Sequence, residues 1–481
     1  MERSGKQHKN LENLVQHINT LIDRQALVAS LVDKQEMRRH DLVQTLVQRE
    51  KYSELIRQID QLHPADIAFV LENLPLDRRR LVWSLVDKQR YGAVLLEVSN
   101  AVRETLLQGM NQDDIVGAAG MLDSDEIADL MQGLSEQAAS ELLDSLASKD
   151  RAEVESALSF PEGTVGALMD FDVIRVPDKA TLDETLERLR RRGRLPADSR
   201  VLMAVDRNGL FQGTLEMETL LVNPGSTPVA EVINREAVVF HTDDEAHDAA
   251  TAFQRYDLIS VPVVNAHNHL VGSLNIEAVL DYIHMVSQKD LLGQVGLHEE
   301  ESDLFMPVWR AARNRWPWLT LNLMIAFIAA LIIGQFEATI SAVVALAALM
   351  PITANVGGNA GNQSLALVIR GLSTNQLNQS NMLRLARKEV SVGLVNGLIW
   401  GGVMALATLI LYGDLRLSLI MQVAMVVTLF MAGLTGVMVP ATLKKLGLDP
   451  VLGSSILITG ITDTMGFFIF LGFAALVLAA L

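Results

Sequence analysis

The chain has 481 residues, no cysteine, 49% hydrophobic residues and a formal net charge of −17. That length allows two or three domains; the absence of thiols excludes disulfides and thiolate metal sites; the acidity argues against a nucleic-acid-binding surface. The charge is uneven, with 30 basic and 50 acidic residues in 1–300 but 10 and 7 in 301–481.

The N-terminus "MERSGKQHKN" has no apolar core and does not resemble a signal peptide. Residues 1–50 read as an N-terminal helical extension, and 51–162 as an all-helical domain. Helical periodicity there is punctuated by turn signals at His63-Pro64, Leu74-Pro75 and Asn111-Gln112. "ALVASLVDKQ" from Ala26 returns as "RLVWSLVDKQ" from Arg80, which suggests stacked helical hairpins. Asp123, Asp125, Glu126 and Asp129 cluster, and Asp125 and Asp129, four apart, share a helix face.

A second repeat pairs "VLMAVDRNGLFQGTLEMETLL" from Val201 with "SVPVVNAHNHLVGSLNIEAVL" from Ser260. Gly213 and Gly272 align, and each copy predicts strand, turn, strand, helix behind an amphipathic helix. These look like tandem α+β CBS modules over 163–228 and 229–288. His267 and His269, in the second turn, read as a solvated turn rather than a metal site.

Residues 289–315 form a connecting segment, and 316–481 a polytopic helical membrane domain. Apolar runs near 317–335, 339–358, 390–412, 417–441 and 451–480 predict five spans of about 20 residues, the second extending through Leu372 as a longer or broken helix. Basic residues collect before the first run, after the second and after the fourth, which places the N-terminus in the cytosol and the C-terminus outside. Trp316 and Trp318 fit an interfacial belt, and Glu389, beside Lys388 at a helix end, is expected to reach headgroups.

Asp463, midway along the last run in "ITGITDTMGF", stands apart. A charge at that depth costs about 2.5–3.5 kcal/mol, so it is expected to face a water-filled path or a partner. Thr459 and Thr462 flank it. "PITANVGGNAGNQSLALVIRGL" (351–372) is the other odd stretch. Gly357, Gly358 and Gly361 are expected to expose carbonyls, and Asn355, Asn359 and Asn362 to add oxygens, which membrane depth tolerates only inside protein or along a cavity. Oxygen donors and one carboxylate suit hydrated Mg²⁺, which sheds water reluctantly. The glycine-rich run lacks the lysine of a phosphate loop, no hydrolase or kinase constellation appears, and no enzyme is expected.

The order of parts resembles the MgtE family of magnesium channels, and "GGNAGNQS" followed by "LVIRGL" is similar to its second-helix signature, as "ITDTMG" is to its fifth-helix aspartate motif. The resemblance implies a homodimer in the cell (inner) membrane whose pore lies between subunits, lined by the second and fifth spans, with Asp463 of each holding Mg²⁺. It also implies cytosolic Mg²⁺ sites between acidic faces that close the channel, using Asp125, Asp129, Asp257, Asp281 and Asp290, and a plug helix over roughly 276–310. The pattern is incomplete: Ala278, Val286, Lys289 and Gly92 or Ala93 stand where acids are expected. The implied sensor therefore has reduced gain. ATP binding is not expected, because Glu216 and Thr219 in one module, and Asn275 and Ala278 in the other, depart from the nucleotide-binding pattern. A secondary transporter coupling Mg²⁺ to H⁺ or Na⁺ is one alternative, disfavoured because only Asp463 lies at depth. A sensor that transports nothing is another, disfavoured by the polar second span.

Overall fold

The computed structural model describes residues 13–23, 52–193, 195, 200–297, 303–373, 376–377 and 379–479. They form two compact units: Met1–Val286 with Glu300–Met306, and Ser287–Glu299 with Pro307–Leu481.

The first unit opens with short helices whose boundaries follow the turn signals. His63 caps Pro64–Glu72 by accepting the Ala65 N–H at its Nδ1, and Pro64 suits the first turn, where no donor is needed. Pro75 precedes Leu76–Trp83, and Asn111 caps Gln112–Ala119. One leucine-rich core joins these helices. The helix over 13–23 belongs to that core: Ile18 and Ile22 are buried in it, and Arg78 donates to Asn19 and pairs with Asp23. This part of the expected extension is thus integral to the domain. The first copy of the "SLVDKQ" repeat lies outside the described residues.

Helix α1 (Ser124–Gln132) begins with a capping box, in which the Asp123 N–H donates to Glu126 Oε2 at 2.9 Å. Two of the four clustered acids therefore have local structural work.

Each CBS module is a three-stranded sheet with one parallel and one antiparallel pairing. The first is β1 (Arg175–Pro177), β2 (Val201–Val205) and β3 (Phe211–Glu216); the second is β4 (Phe240–His241), β5 (Ser260–Val264) and β6 (Leu270–Asn275). The matched glycines have matched reasons. A methyl on Gly213 would lie 2.7 Å from the Asn234 carbonyl oxygen, and one on Gly272 2.6 Å from that of Asp170. Met203, Val205, Phe211, Val264 and Leu270 make a shared core between the modules.

Helix α2 (Ile276–Gln294) leaves the second module and ends well short of the expected 310. Asp303, beyond it, is held by the helical domain: Arg79 donates through both terminal nitrogens to its carboxylate at 2.7 and 2.8 Å, and through Nε to the Leu71 carbonyl. Arg79 is 0% exposed and Asp303 6%. Neither charge could be lost alone without stranding the other.

The second unit is built on α3 (Val308–Gly334), α4 (Ala345–Ser373), α5 (Gln379–Tyr412), α6 (Leu415–Lys445) and α7 (Ser454–Ala479). Among the described residues four helices are long and apolar enough to cross a membrane, and α4 is not one of them. The expected second run instead divides into a short helix, Glu337–Ala342, and α4. Trp318 is more than an interfacial residue. A methyl on Gly296 would meet its ring at 2.6 Å, Gly453 also abuts it, and the Gly453 N–H donates to the Gly293 carbonyl.

Candidate ion pathway and acidic cluster

Helices α4 and α7 pack along much of their length, and α4 also packs on α6. The expectation of exposed carbonyls is corrected here. From Ala345 to Ser373 the backbone is helical without a break, so carbonyls at Gly357, Gly358 and Gly361 belong to the helix ladder. The glycines instead allow close approach. A methyl on Gly357 would lie 2.7 Å from Thr428 Cγ2 on α6, and one on Gly361 2.7 Å from Ile458 Cγ2 on α7.

Gly358 differs. Its nearest neighbours would be Thr462 Oγ1 at 3.6 Å, Asp463 Oδ1 at 3.7 Å and Thr459 Cγ2 at 3.7 Å, an ordinary contact distance. This glycine therefore brings α4 beside the Asp463 carboxylate. Asn355 and Asn359 are exposed on α4, with Asn359 Nδ2 donating to Asn355 Oδ1 at 2.9 Å, and Asp463 is half-buried. Asn362 Nδ2 donates to Thr459 Oγ1 at 3.2 Å, while its own Oδ1 is buried without a partner. Thr462 is turned back on its helix, donating to the Ile458 and Thr459 carbonyls. The result is a polar face of amide oxygens and one carboxylate on helices otherwise apolar. It cannot face hydrocarbon cheaply.

Glu389 does not reach outward. It is 5% exposed, and Ser364 of α4 donates its hydroxyl to Glu389 Oε2 at 2.8 Å. Sequence position alone suggested a helix end, but α5 begins at Gln379, ten residues earlier.

In the first unit, α1 carries its acids against the second CBS module. Burial and the nearby Asp170 charge push Asp125 up to about 7. Its Oδ1 is buried without a hydrogen-bond partner. Asp129 is raised by burial and by Asp281, against a lowering from Arg103. Glu126 is raised by burial, with Asp170 and Glu277 contributing. Asp170 is itself raised, first by burial. Asp129 thus lies near Asp281 and Asp125 near Asp170, and two acids join the expected set, Asp170 and Glu277. No local pattern marks those two; only tertiary packing places them. Asp257 has a separate rationale, closing the helix Ala246–Tyr256 with left-handed backbone (φ 50°), which Asp tolerates. Asp290 belongs to the other unit. Among the described residues, no three His, Asp or Glu side chains are arranged to hold a metal ion. His267 and His269 lie in a turn closed by their N–H groups on Asn265 Oδ1.

A bundle of long apolar helices enclosing a carboxylate, joined to a CBS pair and an acidic helical domain, defines a multi-pass membrane protein of the ion-handling class. The family description "divalent cation transporter" matches residues 350–473, "MgtE intracellular N domain" matches 62–163, and "CBS domain" matches 229–293. Magnesium transporter MgtE of Thermus thermophilus is 30% identical over 429 residues, 88% of this chain and 94% of that one. Its Bacillus subtilis namesake is 25% identical over 416 residues, 86% of this chain and 92% of that one. The chain belongs to the MgtE family of magnesium transporters, whose members are named as transporters and not as enzymes. A crystal structure of the cytosolic domain of the Mg²⁺ channel MgtE in complex with ATP is 28% identical and covers 50% of this chain and 98% of that one, with a TM-score of 0.46.

Proposed function

We propose that this chain moves Mg²⁺ into the cytosol along the polar face shared by α4 and α7, with Asp463 holding the ion through its water shell. The observation that carries this reading is Gly358 beside Asp463. A helix too polar for lipid meets the carboxylate of α7 at its one uncrowded glycine. Asn355, Asn359, Asn362 and Thr459 add oxygens along the same face. In this reading α4 is the second of five spans, the acidic half is cytosolic and the C-terminus lies outside. A second copy covers the exposed Asn355 and Asn359 and the half-buried Asp463, making the transporter a homodimer whose path runs between subunits.

The acids of α1, with Asp170, Glu277 and Asp281, act as a cytosolic Mg²⁺ sensor of reduced gain. Like charges held close together oppose the compact arrangement, and divalent ions between them favour it. Current through purified protein in a planar bilayer, with cytosolic-side Mg²⁺ varied, tests the reading. A Mg²⁺ current that declines partially as internal Mg²⁺ rises is expected; no Mg²⁺ current or flux under any condition would overturn it. One observation favours a second reading, a carrier coupling Mg²⁺ to H⁺ or Na⁺: buried Glu389 supplies a second carboxylate inside the bundle. Flux without current, driven by a proton or sodium gradient, would select that reading.

A further inference from the structure

We infer that Glu389 is a positioning residue for the ion path, acting through Ser364 to hold α4 against α7; the inference rests on the Mg²⁺ path proposed above. Helix α5 packs chiefly on α6 and meets α4 at few places. One of them is the buried bond from Ser364 Oγ to Glu389 Oε2. The charged group facing Glu389 is its neighbour Lys388, whose Nζ lies 3.3 Å from Oε1 and whose side chain is largely in solvent. The carboxylate is thus neutralised from outside and directed inward at the serine.

The surroundings leave it little freedom. A methyl on Gly433 of α6 would lie 2.7 Å from the Glu389 carbonyl oxygen. One on Gly436 would lie 2.6 Å from the Gly361 carbonyl oxygen and 2.7 Å from Ser364 Cβ. Three helices therefore meet at near-backbone distance around this bond. Ser364 is two residues beyond Asn362, so the two side chains leave α4 on nearly opposite faces. Asn362 is tied to Thr459 of α7 and Ser364 to Glu389 of α5. The helix is clamped from both sides within one turn, with Asn362 about one turn and Ser364 nearly two turns beyond Gly358, which lies beside Asp463. Loss of the rear clamp lets α4 rotate or withdraw, and the oxygens facing the ion go with it.

The test uses the full chain, purified and reconstituted in liposomes, with Mg²⁺ entry read by an internal indicator. Ser364→Ala and Glu389→Ala should each lower uptake at least fivefold, and the double variant should fall no lower than the worse single. Glu389→Gln, whose amide oxygen still accepts the serine hydroxyl, should stay within twofold of the parent. The chain lacks cysteine, so Asn359→Cys gives a readout independent of transport. Its labelling by a thiol reagent should change at least threefold with Ser364→Ala and stay unchanged with Glu389→Gln. The inference is overturned by normal uptake in Ser364→Ala, by Glu389→Gln failing as badly as Glu389→Ala, or by single losses that multiply in the double variant. If Glu389→Ala does not fold, Ser364→Ala and Glu389→Gln decide by the same criteria. Asp463→Ala, run alongside, separates the two levels: normal uptake there removes the path itself, whatever position 389 shows.

Discussion

Asp125→Asn should stabilise α1 at neutral and alkaline pH. The carboxyl is held at about 7, against 3.8 when unperturbed, first by burial and then by Asp170. A raised carboxyl contributes stability that is complete below its unfolded pKa and lost as pH rises through the folded one. The penalty on folding reaches about 4 kcal/mol at pH 8, where Asp125 is ionised in the folded chain, and is about 2 kcal/mol at pH 5, where the folded carboxyl keeps a proton that the unfolded one has lost. Asparagine keeps the shape, including the orphaned oxygen, and carries no charge. Hydrogen exchange of the α1 amides in the intact protein reads the difference locally. The variant should exchange at least tenfold more slowly at pH 8, with a markedly smaller gap at pH 5. Millimolar Mg²⁺ should narrow the gap at pH 8 by protecting the parent more than the variant. Equal exchange at pH 8, or a gap independent of pH, would refute the electrostatic reasoning.

Four further outcomes are expected. Arg79→Ala strands the buried Asp303 carboxylate and should destabilise the helical domain by about 3–5 kcal/mol, read as a lower thermal midpoint; replacing both residues with alanine should recover part of the loss. Gly357→Ala and Gly361→Ala should lower the thermal stability of the membrane unit in detergent, whereas Gly358→Ala should not. Gly358→Val, projecting toward Asp463, should block uptake more than Ala366→Val on the exposed side of α4, and equal effects would reduce Gly358 to ordinary packing. Mg²⁺ from micromolar to tens of millimolar should protect the cytosolic half from proteolysis and inhibit transport partially. No response in either assay removes the sensor, and steep, complete closure shows that the missing acids do not matter.

The turn residues and the aligned glycines were legible in the sequence because they answer to local rules: caps, prolines, and a strand–turn–strand repeat. Asp463 stood out in the sequence because a lone carboxylate midway along an apolar run is costly. The glycines of α4 were noticed for the right reason and given the wrong geometry. Glycine in a membrane helix signals both broken backbone and close packing, and only the positions of Thr428 and Ile458 separate the two. Glu389 was misplaced because charge near a basic neighbour reads as a helix end, and nothing local shows that α5 begins ten residues earlier. Asp170, Glu277 and the Arg79–Asp303 pair depend on contacts between distant segments; the last two are 224 residues apart.

The central claim is that Asp463 binds the passing ion. Its most direct test is Mg²⁺ uptake into liposomes by purified Asp463→Ala and Asp463→Asn, each first shown to be folded and to have the parent's oligomeric state. Uptake should be abolished in the alanine variant and strongly reduced in the asparagine variant, which keeps the size and loses the charge. Parental uptake by both would contradict the account.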